Sequence, residues 1–147
     1  MIVERIDKPT KLKSWPGQFP VHNLYTVGVA GEKFLRAIQK EGKLLATVCE
    51  KCAAEYLPPK IFCPLCLGEL TEWKEVSPRG TVETYAADGK GLFAFVRLTK
   101  NGGLIHRLGE IAPEKVKIGL KVEAVFEPAA TRTGSILDIR YFRPILR

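Results

Sequence analysis

Four cysteines carry the clearest chemistry in this sequence: Cys49-Glu50-Lys51-Cys52, ten intervening residues, then Cys63-Pro64-Leu65-Cys66. A C-x-x-C turn brings two thiolates to one ion from a single tight knuckle, and a second knuckle completes a tetrahedron with metal–sulfur distances of about 2.3 Å. The spacer is long enough for a short hairpin that folds one knuckle back onto the other. Four protein thiolates leave no coordination position for water, so an ion held here is structural rather than a Lewis acid. Zinc is the metal expected from ligand type and cellular availability, and iron in a rubredoxin-like site is the chemical alternative. Glycine usually follows the second cysteine of such a knuckle. Ala53 takes that place in the first, and Leu67 precedes Gly68 in the second.

Other chemistry is sparse. The two histidines, His22 and His106, sit in no recognisable motif with a nucleophile. His106, between Ile105 and Arg107 in an expected strand, reads as a surface or barrel-edge residue. There is no Walker sequence and no G-x-G-x-x-G loop, and Gly89-Lys90-Gly91 reads as a turn with a lysine. Carboxylates are scattered rather than paired. The expectation is that the chain is not an enzyme.

The elements that position the cysteines fit within 147 residues, 46% hydrophobic and 27% charged, enough to bury a core. The expected organisation is mainly β: an N-terminal arm and helix over residues 1–42, a zinc ribbon over 43–79 and a five-stranded OB-fold barrel over 80–147. In the arm, Pro9, Pro16, Gly17 and Pro20 break any period among Trp15, Phe19 and Tyr25. From Gly31 to Gly42 the spacing of Phe34, Ala37 and Ile38 predicts a helix with a glycine stop. Leu44–Val48 reads as a strand leading into the first knuckle. After Gly80, β-branched and aromatic runs predict strands at 81–86, 92–98, 104–108, 121–126 and 136–142, and Asn101-Gly102-Gly103 predicts a tight hairpin. Five short strands suit a small barrel better than a sandwich.

The formal charge is +7; four thiolates (−4) and a divalent ion (+2) take it to +5. Residues 49–79 hold four Lys or Arg against five acids, so the flanks carry the excess. Such a balance suits nucleic acid or phosphorylated cofactors, and equally a solvated surface. Closely paired cysteines in a reducing compartment argue for metal over disulfides. No window approaches the roughly 18 apolar residues of a membrane span, and the start lacks the order of a signal peptide, so the expected location is the cytoplasm.

Two functional readings follow. A ribbon beside a barrel suggests single-stranded nucleic acid, with Phe93 and Phe95 stacking bases and Arg97, Lys100 and Arg107 following phosphates. Against it, Phe93 and Phe95 alternate with Leu92, Ala94 and Val96, so the pair could equally fill a core. The second reading rests on an ordered set of segments: a helix, Gly42-Lys43-Leu44, Cys49 and Cys52, Leu57-Pro58-Pro59, Cys63-Pro64 and Cys66, Trp73, Gly80-Thr81-Val82, and later Ile118-Gly119-Leu120-Lys121-Val122. This order resembles the domain-of-unknown-function-35 family, acyl-CoA-associated OB-fold proteins, over residues 25–127. The resemblance implies a non-catalytic partner of thiolase-fold enzymes. In archaea, similar proteins join acetoacetyl-CoA thiolase to hydroxymethylglutaryl-CoA synthase, early in the mevalonate route to isoprenoids, and help pass the acyl-CoA between them; other members serve steroid side-chain or polyketide enzymes. On that reading Trp15, Phe19, Tyr25 and Phe34 contact the enzymes, zinc stiffens the ribbon, and the barrel lies near the CoA. Burial in the protein's own core is the competing role for each aromatic.

Overall fold

A computed structural model describes residue 17 and residues 25–88 and 91–145. Trp15, Phe19 and His22 lie outside the described residues. The chain opens with α1 (Gly28–Glu41), which buries Ala30, Phe34 and Ile38 four residues apart, while Arg36 and Glu32 pair at 2.7 Å on the exposed side. The helix stops at Gly42, whose left-handed φ of 66° lets its N–H reach the Ile38 carbonyl at 3.0 Å.

A three-stranded antiparallel sheet follows, with β1 (Leu44–Cys49) between β2 (Ala54–Tyr56) and β3 (Glu72–Val76). The spacer between the cysteine pairs does not form a hairpin of its own. Residues 54–56 return along β1, with Cys49 opposite Ala54, and Leu57 then leads through a cis peptide bond to Pro58. The buried Thr47 hydroxyl accepts the Lys60 N–H at 3.0 Å, which fixes this crossing to the sheet.

Five further strands, β4 (Arg79–Asp88), β5 (Gly91–Arg97), β6 (Gly103–Arg107), β7 (Lys121–Phe126) and β8 (Ile139–Pro144), form an antiparallel sheet in the order β6-β5-β4-β7-β8. The ends of this order meet: Leu108 bridges Phe142 in parallel, and Gly109 N–H donates to the Phe142 carbonyl at 2.9 Å. That closure gives the five-stranded OB barrel. β4 serves both neighbours: residues 79–81 pair with β7 and residues 81–88 with β5, with a register shift between Val82 and Thr84 on the β5 side.

Three local expectations are corrected. The last strand begins at Ile139 rather than 136, because Asp138 gathers the N–H groups of Thr133, Gly134 and Ser135 and holds Ile136–Asp138 in a 3-10 turn. His106 is not an edge residue. β6 turns Leu104 and His106 inward and Ile105 and Arg107 outward, leaving His106 7% exposed with its ring edge-on to Phe142. The hairpin between β5 and β6 is a five-residue loop in which Leu98 and Thr99 both donate to the Gly102 carbonyl.

One apolar core runs through all of this, joining Phe34 and Ile38 of α1, Leu44, Ala46 and Val76 of the first sheet, and Val82, Val96, Val122, Ile139 and Phe142 of the barrel. Two polar seams reinforce it. Gly103 N–H donates to the Leu57 carbonyl at 3.0 Å, and a methyl group on Gly102 would sit 2.6 Å from the Leu57 nitrogen, so only glycine allows this approach. Arg132 donates to the carbonyls of Glu127 (2.7 Å) and Ile38 (3.4 Å), placing a cation at the negative end of α1.

Candidate metal centre

β1 delivers Cys49 to the end of the first sheet, and the turn after it brings Cys52 back toward it. Ala53 then takes a left-handed φ of 48°, and its N–H donates to the Glu50 carbonyl. The second knuckle repeats the device. Leu67 has φ 58°, its N–H donates to the Cys63 carbonyl at 2.8 Å, and Cys63 N–H donates to Gly68. The two non-glycine positions marked in the sequence are therefore the two within the knuckles that carry left-handed backbone, at about 1–2 kcal/mol each.

All four sulfurs lie within 4.8 Å of one another, and Cys49 and Cys66 are 3.7 Å apart. A tetrahedron with 2.3 Å metal–sulfur bonds has edges of about 3.8 Å. A disulfide needs about 2.05 Å, so the geometry fits four ligands around an ion rather than a bonded pair. Charge argues the same way. A hydrogen bond from the Tyr56 hydroxyl, 3.1 Å from the Cys63 sulfur, holds Cys63 down to about 6. The neighbouring Cys66 sulfur and burial push Cys52 up to about 12, and the Cys63 sulfur raises Tyr56 to about 12. Without a cation these thiols cannot all ionise together; a divalent ion removes that barrier. Leu70 and the ring of Tyr56 pack against the cysteines. Tyr56 was not among the residues singled out from the sequence, since a lone tyrosine between knuckles carries no motif.

Around the second knuckle the surface is unusually apolar. Ile61, Phe62, Leu65 (73% exposed) and Leu67 (78% exposed) all face solvent. Tyr25, Val27 and Val29 are likewise exposed at the start of α1, whereas Phe34 is 4% exposed and belongs to the core, so it offers no surface to a partner. On the barrel, Phe93 and Phe95 are half-buried on the outer face, opposite the buried Leu92, Ala94 and Val96. Arg107 lies 5.6 Å from the Phe93 ring centre and Arg97 lies 5.9 Å from that of Phe95. Arg97 also pairs with Glu83 and donates to the Lys100 carbonyl. His106 Nδ1 is buried without a hydrogen-bond partner among the described residues, and burial pushes the pKa of the ring below the ordinary value. Among the described residues no helix is long and apolar enough to cross a membrane.

Fold and site together define a metal-binding ribbon joined to an OB barrel. Comparison with known proteins agrees. Residues 36–72 match the ChsH2, rubredoxin-like zinc ribbon domain. A DUF35 domain-containing scaffold protein of Methanocaldococcus jannaschii is 29% identical over 103 residues, covering 62% of this chain and 72% of the relative. Two solved structures share the fold. An Ltp2-ChsH2(DUF35) aldolase has a TM-score of 0.57 and 24% identity over 76% of this chain and 91% of that one. A DUF35-family protein of unknown function from Sulfolobus solfataricus has a TM-score of 0.56 and 23% identity over 67% and 78%. The chain is thus similar in sequence and in fold to proteins of the DUF35 family.

Proposed function

We propose that this protein is a non-catalytic scaffold subunit that bridges acetoacetyl-CoA thiolase and hydroxymethylglutaryl-CoA synthase in the cytoplasm and aids acyl-CoA transfer between them in the mevalonate pathway. Zinc is the ion assigned to Cys49, Cys52, Cys63 and Cys66. Residues 1–42, 43–79 and 80–147 act as arm and helix, ribbon, and barrel.

The observation that carries the reading is the exposed apolar surface of Ile61, Phe62, Leu65 and Leu67 on a knuckle held by four cysteines. Contiguous apolar side chains in solvent mark interaction surfaces, and a knuckle fixed by metal loses little entropy on docking. Tyr25, with Trp15 and Phe19 of the arm, would extend that contact. The scaffold name of the Methanocaldococcus relative supports the same role. The test is affinity capture from nuclease-treated native lysate, washed at high salt, with the bound proteins identified by mass spectrometry. A thiolase and a hydroxymethylglutaryl-CoA synthase in near-equal amounts are expected, and purified protein alone should show no acyl transfer. Capture of neither enzyme, or turnover by the isolated chain, refutes the proposal.

One observation favours a second reading, single-stranded nucleic-acid binding. Phe93 and Phe95 lie on the outer face of the second barrel strand, flanked by Arg97 of that strand and Arg107 of the third, and the face of these two strands in OB folds receives oligonucleotides. Nucleic acid retained in the untreated lysate, without either enzyme, would favour it.

A further inference from the structure

A cavity lies away from the cysteines, where β4 begins and β8 ends. Its volume is about 1020 Å³, at the top of the ~300–1,000 Å³ range of small-molecule sites. Ile111, Leu120 and Ile145 give it an aliphatic wall, and Arg79, Lys115, Lys117 and Lys121 surround it with cations. Glu110 is the one carboxylate in the lining, and it accepts the Tyr141 hydroxyl at 2.6 Å.

The cations have little to neutralise them. Arg79 reaches Glu123 at 3.4 Å, but Glu123 also takes Arg143 at 2.8 Å. Lys121 donates to the Thr81 hydroxyl at 2.7 Å, a neutral partner. Lys115 and Lys117 form no ion pair among the described residues. Local structure explains their placement. Val116, between them, is buried and extended (φ −77°, ψ 136°), so chain alternation turns both lysines away from the core. Beyond Lys117 a tight turn closes through Leu120 N–H to the Lys117 carbonyl at 3.1 Å, with Gly119 at φ 89° and its N–H on the Val82 carbonyl at 2.8 Å. The lysine segment is thus anchored by buried Val116 and pinned to β4 at its C-terminal end.

We propose that this cavity binds an organic diphosphate, with the phosphates held by Lys115, Lys117 and Lys121 and the aliphatic wall covering the body of the ligand. Four cations against one carboxylate leave an excess of three positive charges, more than one carboxylate ligand neutralises and close to what a diphosphate carries. Lysine suits phosphate as a point charge. The lining has no aromatic ring on which a base could stack, so the site fits a small molecule rather than a nucleic-acid strand. The proposal stands on the lining of the cavity and survives failure of the scaffold reading; the acyl-CoA of that reading is itself an organic diphosphate.

The test uses the metal-loaded full chain, titrated separately with inorganic pyrophosphate, ADP and geranyl diphosphate, by calorimetry and by amide NMR shifts. Pyrophosphate should bind saturably and shift Val116, Gly119 and Leu120. Whichever organic source fits the wall should bind at least tenfold more tightly, which distinguishes a nucleotide from a prenyl chain. The pair Lys115→Glu and Lys117→Glu should weaken every arm at least tenfold with metal content unchanged, whereas Arg97→Glu with Arg107→Glu, on the outer face, should leave binding as it is. Absence of saturable binding in all three arms, or equal loss from the outer-face pair, overturns the proposal; the wild-type shifts stand as a readout even where a variant folds poorly.

Discussion

Replacing Gly102 by alanine tests how ribbon and barrel are joined. The new methyl would lie 2.6 Å from the Leu57 nitrogen, 2.7 Å from its carbonyl oxygen and 3.1 Å from its Cα, all backbone atoms that no rotamer change can move. Relieving the clash requires the β5–β6 loop to withdraw from the ribbon by roughly 1 Å, given ordinary carbon contacts of about 3.5 Å. Withdrawal weakens the 3.0 Å bond from Gly103 N–H to the Leu57 carbonyl. Both residues are buried, so an unsatisfied group there costs about 1–3 kcal/mol. Overpacking adds about 1–3 kcal/mol, and restricting the unfolded chain returns about 0.4–1 kcal/mol. The expected loss is about 2–4 kcal/mol, or a melting temperature lower by roughly 5–15 °C for a chain of this size. Metal-loaded wild type and variant would be compared by circular dichroism melting and guanidinium titration. Gly119→Ala provides the control: it meets nothing within 4 Å and should lose only the strain of its φ of 89°, about 1–2 kcal/mol. A Gly102→Ala protein within 1 kcal/mol of wild type would show that the close approach does not constrain the fold.

Other outcomes follow from single side chains. Cys63→Ser should lose bound metal and folded protein together; a soluble variant with normal melting would remove the structural role of the centre. Burial alone would raise the Asp138 pKa, but the N–H groups of Thr133, Gly134 and Ser135 outweigh it and hold the carboxyl below its ordinary value. A depressed folded-state pKa adds stability above the unfolded value of 3.8, lost as pH falls through the folded one. Asp138→Asn should therefore cost about 2 kcal/mol at pH 7 and flatten the acid limb of the stability profile; an unchanged limb would contradict the cause given. Leu67→Gly should be neutral or stabilising by up to about 1 kcal/mol while reducing enzyme recovery in affinity capture, and retained recovery would exclude that side chain from the docking surface.

The most legible features in the sequence were those with local causes. Two C-x-x-C turns marked the four cysteines whose sulfurs the fold brings together, Gly42 marked the helix stop, and the alternation of Val122, Ala124 and Phe126 located β7 at Lys121–Phe126. What escaped depended on distant partners. His106 faces inward because β6 pairs with β5 in a register that local polarity does not reveal. Ile136–Asp138 looked like strand because its apolar residues resemble one, but the Asp138 carboxylate captures the preceding backbone. Asn101-Gly102-Gly103 was legible as a turn, yet the greater demand for glycine comes from Leu57, more than forty positions earlier. The cationic cavity draws on three separated segments, and charge counts alone could not assemble it.

The continuous core has a consequence for how long the molecule survives. Leu44, Ala46 and Val76, on the strands beside the cysteine knuckles, pack in the same cluster as Val82, Val122 and Phe142. Loss of the ion would therefore loosen a wall of the barrel as well as the ribbon, and cellular proteases would meet one unravelling chain rather than a trimmed stable half. Metal supply would then set abundance, and a metal-starved cell would lose the cysteine knuckles and the barrel in the same step.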